Sequence, residues 1–106
     1  MLNAANKKSE IFREVHELVS QIPRGKVATY GDIADIVLIN PRYVGYILHH
    51  NPSPGRIPCH RIVDSRGKAA ANFAFGGGDA QEYLPTSEGL IFTHHKLDLV
   101  RYRHTF

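Results

Sequence analysis

Apolar residues recur at spacings of three and four between Ser9 and Ile22, at Ile11, Phe12, Val15, Leu18, Val19 and Ile22. Side chains three and four apart stack on one side of an α-helix, so this stretch predicts an amphipathic helix with a single buried face. Ser9 is a suitable N-cap, and Pro23-Arg24-Gly25 halts the pattern. Residues 1–8 are expected to be a disordered extension.

A short extended piece follows in "KVAT", then two brief helical patterns separated by the turn "LIN". Thr29 with Asp32 three residues on resembles a capping box, although Asp is shorter than the usual Glu or Gln. The helix it opens runs from about Tyr30 to Val37 and buries Ile33, Ala34 and Val37. Asn40 is a good N-cap. Pro41 suits the first helical position, where its missing N–H would have had no partner. The second helix, from Pro41 to about His50, turns Val44, Ile47 and Leu48 inward. Gly45 in its middle costs about 1 kcal/mol relative to Ala and implies tight packing against the preceding helix. Two short helices joined by about three residues have the outline of a helix-turn-helix.

Beyond Asn51 the chain stiffens, with prolines at 52, 54 and 58 setting the approach to "CHRIV". "DSRGK" reads as a tight turn and "FGGGD" as a loop. Residues 79–84 suit a short helix interrupted by Pro85. The tail "GLIFTHHKLDLVRYRHTF" is apolar enough to return to the core as short strands.

One domain over residues 1–106 is the expectation, because this length supports one modest core and not two. No apolar run is long enough to cross a membrane. With one cysteine and no secretory signal at the N-terminus, an intracellular location is expected, cytoplasmic in a bacterium and nuclear in a eukaryote. The net charge of +3 is mild. Its distribution is uneven: Arg24 to Lys68 holds seven basic and three acidic residues. Such a bias favours a polyanion through counterion release, and equally fits a solvated surface.

Within "IPCHRIV" the single cysteine, Cys59, cannot form an internal disulfide. Packing, metal binding and nucleophilic chemistry remain. The histidine pairs His49-His50 and His94-His95 lack zinc-site spacing, so no metal is expected. Adjacent His60 and Arg61 would help ionise a thiol, but neighbours on extended backbone point apart. Spacing alone leaves packing and nucleophile open.

The combination of "GKVATYGDIA", "PRYVGYILHHNPSP", "IPCHRIV" and the downstream "EG" resembles the O6-alkylguanine-DNA alkyltransferase family and its alkyltransferase-like relatives. The resemblance runs from about Ser9 to the C-terminus. It implies a mainly α domain with minor β structure, winged-helix-like, containing a helix-turn-helix. It further implies a cofactor-free, single-turnover repair protein, acting as a monomer. The partner would be double-stranded DNA carrying O6-alkylguanine, bound through the minor groove. The base would be flipped out and its alkyl group moved to Cys59.

By the same resemblance His60 activates Cys59 through water and Glu88 orients His60. Arg42 enters the base stack. Tyr30 acts on the flipped nucleotide's phosphate and hydrogen-bonds the guanine. Asn51 ties the helix end to the active-site loop, Arg61 joins the DNA contacts, and Ile62 offers its backbone to the guanine edge. Three departures stand out. Against the larger members, the chain is expected to correspond only to the DNA-binding and acceptor part. Between Gly67 and Glu88 it is two residues longer than usual, with Gln81 near where a lysine is usual and Pro85 interrupting the helix that leads to Glu88. The short length and the tail "KLDLVRY" resemble the alkyltransferase-like proteins. The short alkyltransferase-like relatives lack the acceptor cysteine and pass lesions to nucleotide excision repair proteins. They provide the alternative reading.

Overall fold

A computed structural model describes residues 4–50, 56–69 and 85–106 of the chain. Helix α1 spans Ala4–Ser20, strand β1 Ala28–Thr29, and helices α2 and α3 Tyr30–Val37 and Pro41–His49. A 3-10 turn, Cys59–Arg61, leads directly into β2, Ile62–Val63. After a helical turn at residues 85–87 come β3 (Phe92–Thr93), β4 (Lys96–Leu97) and the one-turn helix α4 (Leu99–Tyr102). No helix among the described residues is long and apolar enough to cross a membrane.

Helix α1 begins five residues before the expected cap. Ser9 lies inside it, and residues 4–8, expected to be disordered, are helical. "AANKK" contains strong helix formers, and nothing in it breaks the backbone ladder. At the other end Gln21 and Ile22 donate to the carbonyls of Leu18 and Val19, tightening the last turn before Pro23.

The two short helices start as their cap residues dictate. The Thr29 hydroxyl accepts from the Asp32 amide, and the Asp32 carboxylate accepts from the Thr29 amide, both at 3.0 Å. Asn40 accepts from the Arg42 amide at 2.8 Å, with Pro41 in the first turn. Leu38 closes α2 in the left-handed region at φ 64°, an uncommon conformation for a residue with a Cβ. That kink reverses the chain and packs α3 against α2, which is the helix-turn-helix.

Strands β1 and β2 run parallel, pairing Ala28 with Ile62 and Thr29 with Val63. Successive side chains of a strand point to opposite faces, and here each face has its own core. Ala28 and Ile62 join Val15, Val19, Ile33, Val44 and Ile47 of the helices. Val27 and Val63 join Leu90, Leu97 and Tyr102 of the C-terminal elements. The small sheet is the partition between them. The tail does return as short strands: β3 and β4 form an antiparallel hairpin, and Val27 exchanges backbone bonds with Tyr102 and His104. The domain is thus mainly α with minor β structure.

Arg103 reaches back to Asp32, with Nη2 2.6 Å from Oδ1 and Nε 3.0 Å from Oδ2. Burial pushes the Asp32 carboxyl up, but Arg103 and the Thr29 groups outweigh it and hold it below the usual carboxylate range. A depressed folded-state pKa stabilises the fold above the unfolded carboxyl's pKa, and that stabilisation is lost as pH falls through the folded value. Asp32→Asn is therefore expected to lower stability by about 1 kcal/mol at pH 7. The deficit should shrink as the pH falls below about 4. Urea titrations of both proteins across that range check it; a constant deficit would refute the charge linkage.

Candidate functional site

Tyr30 is the first residue of α2, directly after β1, and Cys59 opens the 3-10 turn directly before β2. The parallel ladder therefore brings together two residues that lie far apart in sequence. Cys59 is buried, at 7% exposure. Its amide donates to the Ile57 carbonyl at 2.8 Å, and its own carbonyl accepts from Ile62, so the thiol-bearing backbone is held from both sides. The Tyr30 phenol is pushed up to about 12, first by burial and then by the negative charges of Cys59 and Asp64. It remains a protonated hydrogen-bond donor throughout the physiological range.

An open cleft of about 420 Å³ lies where α2, α3 and the 64–68 turn meet, lined by Tyr30, Gly31, Arg42, Gly45, Asp64 and Ser65 among others. Cys59 is not among its lining residues; Tyr30 links the two. Gly45 is not, as the sequence suggested, forced by close packing against α2, and it lies on the wall of the open cleft. A Cβ added there would stand 3.7 Å from Tyr30 Cε1, at ordinary contact. Arg42 is exposed at the start of α3 with no acceptor among the described residues. The "DSRGK" turn is as expected, because Asp64 Oδ1 accepts from the amides of Arg66 and Lys68.

Behind Cys59 lies a buried polar cluster. Glu88 Oε2 is 3.1 Å from His60 Nε2, with the Glu88 side chain 7% exposed. The approach is close but poorly aligned, and His60 Nε2 makes no well-formed hydrogen bond. Apo geometries at reactive centres are often loose in this way.

Arg61, expected among the DNA contacts, is engaged inside the protein. Its guanidinium points inward: Nε is 2.9 Å from Glu88 Oε1, Nη2 is 2.6 Å from Oε2, and Nη1 is 2.8 Å from the Ile22 carbonyl. A buried carboxylate requires a paired cation, and Arg61 meets that need. Burial pushes the Glu88 carboxyl up, yet Arg61 and His60 together hold it below the usual range. Arg24 adds a bond to the Ser87 carbonyl at 3.1 Å, fixing the same segment from the α1–β1 connection.

Ile62 has its side chain buried in the helical core and its amide engaged by Cys59. Asn51, the loop around Phe75 to Asp79 and Gln81 lie outside the described residues. Pro85 is buried, and its carbonyl accepts from Glu88 and Leu90, so it helps set the turn that presents Glu88. Among the described residues, no group of three His, Cys, Asp or Glu side chains could hold a metal ion.

Residues 10–90 match the family model described as the DNA-binding domain of 6-O-methylguanine DNA methyltransferase. A methylated-DNA–protein-cysteine methyltransferase of Methanocaldococcus jannaschii is 35% identical over 91 residues, covering 86% of this chain and 53% of that protein. One from Archaeoglobus fulgidus is 47% identical over 60 residues, covering 57% of this chain and 41% of that protein. The chain spans about half the length of these curated relatives. Among solved structures, S. pombe Atl1 in complex with damaged DNA containing O6-carboxymethylguanine superposes with a TM-score of 0.79 at 32% identity. That match covers 92% of this chain and 96% of the other.

Proposed function

Because this chain belongs to the family of 6-O-methylguanine DNA methyltransferase DNA-binding domains, we propose that it repairs O6-alkylguanine in duplex DNA by moving the alkyl group to Cys59. The observation that carries this reading is the ladder-aligned pair of Tyr30 and Cys59, backed by His60 and Glu88. The helix-turn-helix would dock in the minor groove, and the damaged nucleotide would leave the stack to meet the thiol. Arg42, exposed at the cleft, would fill the gap it leaves.

In the transfer itself His60 withdraws the Cys59 proton, directly or through water, and Glu88 stabilises the imidazolium that results. The thiolate attacks the saturated alkyl carbon as that carbon's bond to O6 breaks. The bonding pair passes to O6 and the ring, and the base takes up one proton to become guanine. Tyr30, held as a phenol, can donate a hydrogen bond to the leaving base. A thioether does not hydrolyse under these conditions, so each molecule reacts once, and no cofactor enters the balance.

Intact-protein mass spectrometry after incubation with a duplex carrying one O6-methylguanine tests the reading. One added methyl group, mapped to Cys59, is expected. A second reading, lesion binding without transfer followed by recruitment of nucleotide excision repair proteins, draws support from the nearly full-length match to S. pombe Atl1. Tight lesion binding with no mass gain would favour it.

Both readings give Arg42 the same task. Loss of a phosphate contact weakens binding to any sequence alike, whereas loss of a wedge in the stack affects flipped nucleotides alone. Arg42→Ala is expected to weaken lesion-containing duplex about tenfold more than matched undamaged duplex. Fluorescence anisotropy on the two duplexes measures this; equal losses would remove Arg42 from the stack.

A further inference from the structure

We propose that Arg61 is a positioning residue of this site: it fixes the Glu88 carboxylate so that His60 can act on Cys59. The inference rests on the function proposed above and assigns a residue to it that faces the protein interior.

Geometry separates this role from that of an ordinary fold staple. Arg61 uses three nitrogens at once, two on the Glu88 carboxylate and one on the Ile22 carbonyl in the turn that follows α1. Its side chain is 17% exposed and that of Glu88 7%, so the pair is largely shielded from water. The oxygen that takes the shorter Arg61 bond, Oε2, is the same one that faces His60 Nε2. Arg61 thereby decides where that oxygen sits, and with it whether the His60 N–H comes into line. The planar fork of a guanidinium can span a carboxylate and a carbonyl together, which an ammonium cannot do in one fixed geometry.

Charge reinforces the geometry. Around Glu88 the charged or titratable groups among the described residues are Arg61 and His60 from the 3-10 turn, together with Arg24. Arg24 bonds the Ser87 carbonyl and not the carboxylate. Without Arg61 the buried carboxylate would lose its principal counter-ion and take up a proton at higher pH. A neutral carboxyl stabilises an imidazolium poorly. The acid limb of any reaction that needs an ionised Glu88 beside His60 would then move upward in pH, following the Glu88 carboxyl.

The test measures the rate at which iodoacetamide alkylates Cys59 against pH, a readout that needs no DNA, alongside methyl transfer from an O6-methylguanine duplex. Arg61→Met is expected to slow alkylation at pH 7 by about tenfold or more and to shift its acid limb to higher pH. Arg61→Lys should restore part of the rate. In a His60→Ala background, Arg61→Met should change the alkylation rate no further, because its effect passes through His60. An unchanged pH profile accompanied only by loss of stability would overturn the proposal, as would an equal slowing without His60. Should Arg61→Met not fold, Arg61→Lys decides: a profile identical to that of the parent protein overturns it. Absence of methyl transfer in the parent protein counts against the repair function alone, since the iodoacetamide profile reports on Arg61 independently.

Discussion

Cys59→Ser is expected to abolish methyl uptake while leaving affinity for lesion-containing duplex within about threefold of the parent protein. A serine hydroxyl ionises far above neutral pH and is a poor nucleophile toward saturated carbon, whereas a thiolate is both soft and accessible near pH 7. No second cysteine exists to accept the group in its place. The fold should tolerate the change, because the two side chains are nearly isosteric and Cys59 holds its turn through backbone bonds to Ile57 and Ile62. Mass spectrometry and anisotropy on one preparation separate the two effects. Methyl uptake by the serine variant, at any position, would dismiss Cys59 as the acceptor.

The largest effect on the fold itself is expected at Gly67. Its φ is +85°, and a Cβ added there would lie 2.4 Å from the Leu97 carbonyl oxygen and 3.0 Å from the Leu97 nitrogen. Those atoms belong to backbone, and Gly67 itself accepts the Leu97 N–H at 2.9 Å, so neither partner can step aside without breaking the bond that joins the 64–68 turn to β4. Gly67→Ala therefore combines the penalty of a left-handed residue with an overlap in packed structure, about 3 kcal/mol in total. For a domain of this size that lowers Tm by roughly 15 °C. Gly89 is the matched control: its φ is +94°, but nothing lies within 4 Å of an added Cβ. Gly89→Ala should cost only the conformational part, about 1–2 kcal/mol. Equal melting temperatures for the two variants would show that the contact with Leu97 has no energetic weight.

These contrasts mark what could be read from the sequence. Thr29, Asp32, Asn40 and Pro41 carry local signals, since each acts on backbone within three residues, and the structure places the start of α2 and α3 where those signals fall. The buried face of α3 followed from periodicity in the same way. The start of α1 was missed because Ser9 looks like a cap and the propensity of residues 4–8 carries no boundary mark. The β3–β4 hairpin turns through His94 and His95, both at positive φ. Asn-Gly is the usual signature of such turns, and a histidine pair does not announce one. Arg61 joined the DNA contacts through the family resemblance and not through any local pattern. Its partner in the fold, Glu88, is 27 residues away, and Arg103 finds Asp32 across 71. Ion pairs of that span leave no periodic trace, so only the folded chain reveals them.

The β1–β2 pair has a consequence for how this domain can vary. Two rungs of parallel ladder join the residue before Tyr30 to the strand that follows Cys59. The spacing between the phenol and the thiol is thus set by backbone hydrogen bonds, not by the path of the chain between them. Changing the number of residues between α3 and the 3-10 turn would therefore leave this spacing intact. Chain length in that connection and the geometry of the Tyr30–Cys59 pair can vary independently, the second only through the sheet. Amide hydrogen exchange offers a direct view of the division: the slowest-exchanging protons should cluster on Ala28, Thr29, Ile62 and Val63 and their helical supports.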